Sequence, residues 1–283
     1  MAKKKLMIQD FYRMKEAGEK ICWITSYDYP TSQFAEAAGL DMILVGDSLG
    51  MCVYGYPSTV PVTMDQCIMH CEAVRRGAPN TFVVGDLPFL SYQASDPDAV
   101  LNAGRFLKEA YMDAVKLEGG VRVASRIKAI TDAGILVIGH IGLTPQSSGQ
   151  LGGHKAQGRT AQSAKMLVED ALAVEEAGAR MLLIEAVPPE ITAYIVEKLT
   201  IPVLSIGAGP HCDGQLVIVS DMTGQFQAFT PKFVKRYGNV AEVVTKAMTD
   251  YCDDVRAGRF PGKEHCYNMI QGEHDKFLDL MKK

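Results

Sequence analysis

The chain has no apolar stretch approaching the roughly 18 residues that a helix needs to span a bilayer. Its basic start, MAKKKLMIQDFYRMK, is followed neither by the apolar run of a secretory signal nor by an acid-free, Arg- and Ser-rich amphipathic segment. A cytoplasmic protein with no membrane partner is therefore expected. An excess of positive charge is missing as well: 29 Lys and Arg stand against 33 Asp and Glu, a formal net charge of -4. That balance offers no field for a polyphosphate backbone, so no nucleic-acid partner is expected. Low-complexity tracts and a clear internal repeat are absent, and no strong glycine fingerprint for a dinucleotide occurs. The seven cysteines are odd in number and scattered, which argues against disulfides. Cys67, His70 and Cys71 share one helical turn, and His211/Cys212 and His265/Cys266 are adjacent pairs. None has the CxxC spacing of a zinc site, so they read as core and loop residues.

What is present is a core. Of the 283 residues, 47% are hydrophobic, enough for one large α/β domain or two smaller ones. Eight apolar, β-branched runs recur: ICWITSYD (21–28), MILVGDS (42–48), TFVVGDLP (81–88), AVKLEGG (114–120), ILVIGHIG (135–142), RMLLIEAVP (180–188), IPVLSIGAG (201–209) and QLVIVSDM (215–222). Helical spacing lies between them at about 31–39, 64–77, 98–112, 121–133, 160–178 and 189–199, and again at 231–257. Asp98 opens one of these helices, and Gly39, Gly134 and Gly178 sit near helix C-termini. Alternation of strand and helix calls for parallel pairing, and continuously apolar strands call for burial on both faces. Eight such units predict a (β/α)8 TIM barrel, with a doubly wound open sheet as the alternative. The seventh-to-eighth connection is too short for a full helix, so that unit is abbreviated. The expected single domain has its barrel core at about 20–257, a leading helix near 8–18 and a C-terminal extension over 258–283.

In such a barrel the reactive groups come from the C-terminal strand ends. Those ends supply Asp28, Asp47, Asp86, Glu118, His140, Glu185 and Asp221. Helix caps or turns would account for Asp28 and Asp221 equally well. Asp47, Asp86 and Glu118 fall on three neighbouring strands, and carboxylates that converge repel one another unless a counter-charge is supplied. A hard divalent cation, Mg²⁺ or Mn²⁺, suits an oxygen-only set. Lys116 lies two residues before Glu118, so both side chains point the same way, either into the barrel toward an anion or outward along the helices. Glu185, across the ring, is either a proton acceptor or the partner of a nearby arginine. The loop SIGAGP (205–210) is either a phosphate loop or a tight turn. The long segment 142–160, after His140, has the length of a lid or binding loop.

Several segments together resemble the ketopantoate hydroxymethyltransferase family: VGDSLGM (45–51), PVTMDQCIMHCEAVRRGAP (61–79), VGDLPFLSY (84–92), VKLEGG (115–120), GHIGLTPQ (139–146), EAVP (185–188) and IGAG followed by DGQ (206–209, 213–215). The match spans roughly residues 6 to 262. It implies a barrel of the phosphoenolpyruvate/pyruvate type that uses Mg²⁺. The implied reaction moves a hydroxymethyl group from 5,10-methylenetetrahydrofolate to the 2-oxo acid 3-methyl-2-oxobutanoate, giving 2-dehydropantoate for pantothenate biosynthesis. By the same resemblance Asp47, Asp86 and Glu118 hold the metal, and Asp47, Ser48, Asp86 and Lys116 hold the 2-oxo acid. Glu185 accepts the proton, His140 is a further site contact, and the chain forms a homo-oligomer, a decamer in this family. Ser48 could equally cap the following helix. PHC (210–212) and VSDMTG (219–224) depart from the family's usual runs, which puts folate-side contacts or local shape in question. The alternative activity is another Mg²⁺-dependent 2-oxo-acid lyase or mutase on the same scaffold; a barrel that only binds a metabolite is the non-enzymatic alternative.

Overall fold

Each of the eight apolar runs forms a strand, and all but the last stop where a polar or glycine residue ends the run. In the computed structural model, which describes residues 4–282, these are β1 (Ile21–Thr25), β2 (Met42–Val45), β3 (Phe82–Asp86), β4 (Ala114–Glu118), β5 (Val137–Gly142), β6 (Met181–Glu185), β7 (Val203–Ile206) and β8 (Gly214–Val217). All neighbours pair in parallel, and β8 pairs back onto β1, with Ile21 opposite Gly214 and Ile24 opposite Val217. The sheet is thus the closed barrel expected from the sequence; the open-sheet alternative is overturned by the β1–β8 ladder.

Six helices cover the outside: Tyr29–Ala37, Met64–Gly77, Asp96–Ala110, Ala124–Asp132, Ala161–Glu176 and Pro189–Lys198. Asp28 is a helix cap, its carboxylate accepting from the Thr31 N–H at 2.7 Å. Asp98 does not open its helix; Ser95 does, accepting from the Asp98 N–H at 3.2 Å. The connection from β7 to β8 holds no helix, as its length required. The last strand is shorter than expected. After Val217 the Thr25 hydroxyl accepts the Val219 N–H at 3.1 Å, and a one-turn helix, Val219–Met222, follows. Asp221 therefore sits on that turn and not on the strand. The final long helix covers only Val240–Arg256 of the expected 231–257.

Period-two geometry sorts the strands. One set of side chains fills the barrel: Ile21 and Trp23, Met42 and Leu44, Phe82 and Val84, Ala114, Ile138, Met181 and Leu183, Leu204, Leu216. The other set packs against the helices. Phe11, from the leading helix Ile8–Ala17, closes the N-terminal end, fully buried and edge-on to Phe82 with ring centroids 5.1 Å apart. Gly85 lets the Phe106 ring lie against β3, since a Cβ there would stand 2.3 Å from it.

The chain divides into a unit that ends at Tyr237 and one that begins at Gly238. The second contains Val240–Arg256 and the helix Glu273–Met281. No helix among the described residues is long and apolar enough to cross a membrane.

Candidate active site

The inward-facing positions at the C-terminal ends of β3 to β6 change from apolar to ionisable, and strand register sets which of them meet. Asp86 is opposite Lys116 across β3 and β4, and Glu118 is opposite His140 across β4 and β5. Lys116 points into the barrel and is almost completely buried, with Nζ 2.8 Å from Asp86 Oδ1 and 3.8 Å from Glu118 Oε1. The outward alternative for this lysine is thereby overturned. Asp47 follows β2, and its backbone N–H donates to Asp86 Oδ2 at 2.9 Å.

Gln146 ties the group together. Its side-chain amide donates to Asp47 Oδ2 and to the Leu87 carbonyl, each at 2.9 Å, while its backbone N–H donates to Glu118 Oε2 at 3.0 Å. The buried Tyr92 hydroxyl donates to Gln146 Oε1 at 2.8 Å and accepts the Glu118 N–H at 3.0 Å. Neither residue stood out in the sequence. Both lie in segments that carry the family resemblance, GHIGLTPQ and VGDLPFLSY, and Pro145 opens the short 3₁₀ turn Pro145–Ser147 that fixes the backbone beside Gln146.

His140 lies between Lys116 and Glu185. Its Nδ1 is 3.3 Å from Lys116 Nζ, and its Nε2 is 3.2 Å from Glu185 Oε2. An ammonium has no lone pair, so toward Lys116 Nδ1 is the acceptor; Nδ1 also lies 3.5 Å from Glu118 Oε1, and among the described residues Nε2 has no hydrogen-bond partner. Burial, followed by the positive charge of Lys116, lowers the imidazole pKa and keeps that ring neutral. Glu185 has no arginine partner among the described residues, which removes the bland reading of it. Burial raises its carboxyl above the usual range, and His140 opposes that shift. It retains 14% side-chain exposure against 1% for Asp86 and Glu118, so it faces the cavity. Gly142 makes this strand end possible: with φ +92°, it approaches so closely that a Cβ would stand 2.3 Å from the Glu185 carbonyl.

Burial is the first cause raising the carboxyl pKa values of Asp47, Asp86 and Glu118; for Asp47 the Glu118 charge adds to it. For Lys116 burial works the other way, but Asp86, Glu118 and Asp47 outweigh it and raise the ammonium's pKa. Three buried carboxylates thus face one ammonium. The set is oxygen-only and short of positive charge, and that donor chemistry fits a hard divalent cation. Among the described residues, no three His, Cys, Asp or Glu side chains are already drawn together as a metal cage.

Ser48 stands at the start of a one-turn helix, Leu49–Cys52, but its hydroxyl caps nothing; it lies 2.8 Å from the Tyr27 hydroxyl. The helix-cap reading of this serine therefore does not hold. Asp47, Ser48, Asp86, Lys116, Glu118, His140 and Glu185 all line one cavity of about 850 Å³ at the C-terminal barrel face. The lining also includes the aromatic Phe226, Phe229 and Phe233 and the exposed cations Lys155, Arg159 and Lys232.

Comparison with known proteins gives the family and the fold. The family profile described as ketopantoate hydroxymethyltransferase matches residues 5–263. A 3-methyl-2-oxobutanoate hydroxymethyltransferase of Alkaliphilus metalliredigens (strain QYMF) is 64% identical over 284 aligned positions, covering 100% of both chains. One of the same name from Bacillus subtilis (strain 168) is 52% identical over 262, covering 93% of this chain and 95% of the relative. Solved structures share the fold at low identity. Phosphonopyruvate hydrolase in complex with oxalate and Mg²⁺ superposes with TM-score 0.61 at 13% identity, with 98% of each chain covered. For 2,3-dimethylmalate lyase the TM-score is 0.58 at 17% identity, again with 98% of each chain covered. The profile match across nearly the whole chain, with relatives at this identity, shows that the chain belongs to the ketopantoate hydroxymethyltransferase family.

Proposed function

We propose that this barrel transfers a hydroxymethyl group from 5,10-methylenetetrahydrofolate to 3-methyl-2-oxobutanoate, with uptake of one water, giving 2-dehydropantoate and tetrahydrofolate. The observation that carries the reading is Glu185, a carboxylate open to the cavity and separated from the Asp47, Asp86, Glu118 and Lys116 group by the imidazole of His140. Lys116 holds the substrate carboxylate or the enolate oxygen by charge, and the Ser48 hydroxyl, already turned toward Tyr27, donates to a substrate oxygen. Glu185 removes the proton from C3, with the His140 ring beside its carboxylate, Nε2 3.2 Å from Oε2. General base catalysis typically supplies about 10² to 10⁴ in rate, roughly 3 to 5 kcal/mol, whereas enzymes commonly need about 8 kcal/mol or more. Asp47, Asp86 and Glu118 would hold Mg²⁺, which when bound supplies polarisation of the keto group worth several kcal/mol more.

The cavity is larger than a five-carbon acid requires and lies in the upper part of the range, roughly 300 to 1,000 Å³, that encloses a drug-sized ligand. Its aromatic wall suits a flat pterin. Lys155, Arg159 and Lys232 form no salt bridge among the described residues, which leaves their charge for the glutamyl carboxylates of a folate. The lyase and hydrolase neighbours share only the fold at their identity, so no feature here favours their chemistry. We place the reaction in the cytoplasm and expect a homo-oligomer on the strength of the family alone. The test is 2-dehydropantoate formation with and without Mg²⁺ and methylenetetrahydrofolate: formation only with both, with matching tetrahydrofolate release, supports the transferase. Cleavage of 2-dehydropantoate that proceeds without any folate would refute it in favour of a lyase.

A further inference from the structure

One buried carboxylate of the cavity has no part in that chemistry. Asp221 is 5% exposed, sits on the turn after β8, and lines the cavity with Thr25, Phe226, Phe229 and Phe233. Among the described residues, no donor reaches its carboxylate oxygens. Arg236 acts on it only from beyond salt-bridge distance, and burial pushes its carboxyl up to about 6, so it is ionised at neutral pH. A buried anion with no hydrogen-bond donor and only a distant guanidinium is costly unless something else in the cavity supplies donors.

The surroundings say what shape that donor takes. Phe226 and Phe229 meet edge to face, 5.3 Å apart at 88°. Phe233 lies against Gly207, where a Cβ would stand 2.5 Å from the ring, so the glycine of IGAG lets this aromatic wall close beside β7. Phenylalanines next to a carboxylate accept a flat heterocycle that presents two parallel N–H groups from its edge, since a carboxylate takes such a pair in bidentate fashion. Resting on the folate reading above, we infer that Asp221 anchors the aminopyrimidinone edge of the folate head, accepting from N3–H and the 2-amino group while the phenylalanine wall covers the ring. In that reading Asp47, Asp86 and Glu118 serve the metal and the acid and Glu185 the proton, which leaves Asp221 as the remaining carboxylate lining the cavity.

The experiment is a comparison of dissociation constants for tetrahydrofolate and for its 2-desamino analogue, with the wild-type protein, Asp221→Asn and Asp221→Ala. Wild type should bind the parent about 10- to 100-fold more tightly than the analogue, as expected for a hydrogen bond to a charged acceptor. In both variants parent affinity should drop toward that of the analogue, so that the ratio approaches one, while circular dichroism shows the barrel folded. A wild-type ratio near one with normal tetrahydrofolate binding overturns the role of Asp221 and leaves the folate reading standing. A ratio unchanged in the variants does the same. Failure of the wild type to bind tetrahydrofolate at all overturns both.

Discussion

Replacing Lys116 by Met would remove the one ammonium among three buried carboxylates while keeping most of the side chain's volume. At the separations of 2.8 and 3.8 Å to Asp86 and Glu118, unit charges in an effective dielectric of about 20 attract by about 6 and 4 kcal/mol. The protein does not lose that full amount, because an uncompensated carboxyl takes up a proton instead. Breaking a buried pair by deleting one partner typically costs about 3 to 5 kcal/mol, or about 6 to 20 °C in Tm for a chain of this size. The pH dependence follows from sign. Without Lys116 the Asp86 carboxyl has a folded pKa still further above its unfolded value, so the folded state holds the extra proton. Stability from such a group is present at low pH and lost as pH rises. Thermal melts of wild type and Lys116→Met in chelator, at pH 5.5 and pH 8, should show the larger deficit at pH 8. A deficit below about 1 kcal/mol, or one equal at both pH values, would refute the idea that Lys116 is the counter-charge of this site.

Gln146→Ala leaves Asp47 Oδ2 and the Leu87 carbonyl without their donor, so affinity for 3-methyl-2-oxobutanoate, read by calorimetry, should weaken about 10- to 100-fold. Phe11→Ala opens the opposite end of the barrel and should cost about 3 to 5 kcal/mol in denaturant unfolding without changing the rate of C3-hydrogen exchange at 25 °C. The rate of that exchange in wild type should rise with pH along an acid limb, because Glu185 must be deprotonated to act. Its midpoint should lie above the ordinary glutamate value of about 4.3; a flat profile between pH 4 and 8 would contradict the assignment.

The barrel was legible because its strands are continuous apolar runs that end in a change of chemistry, and parallel pairing makes those ends converge. Asp47, Asp86, Glu118 and Glu185 could be picked out on that ground alone, since each directly follows Val, Ile, Leu or Gly. The same rule also gathered Asp28, which spends its carboxylate on a helix end, and it placed Asp221 on a strand that had already stopped. Local pattern cannot separate a cap from a ligand when both follow a strand. Gln146 stayed hidden for a different reason: its partner Asp47 is 99 residues away, and nothing about an amide in a polar loop announces that meeting. The contact between Ser48 and Tyr27 is likewise made by two separate loops. Helix extent was overread at 231–257, where helical spacing of apolar residues continues through a stretch that holds Pro231 and Gly238 and is not helical.

The central claim, that Glu185 takes the C3 proton while the groups across the cavity hold the acid, is tested most directly by proton NMR of 3-methyl-2-oxobutanoate in D₂O with Mg²⁺ and no folate. Glu185→Gln should lower the rate of deuterium exchange at C3 by about 10² to 10⁴ while leaving affinity for the acid within a few fold. Exchange at the wild-type rate in that variant would contradict the account.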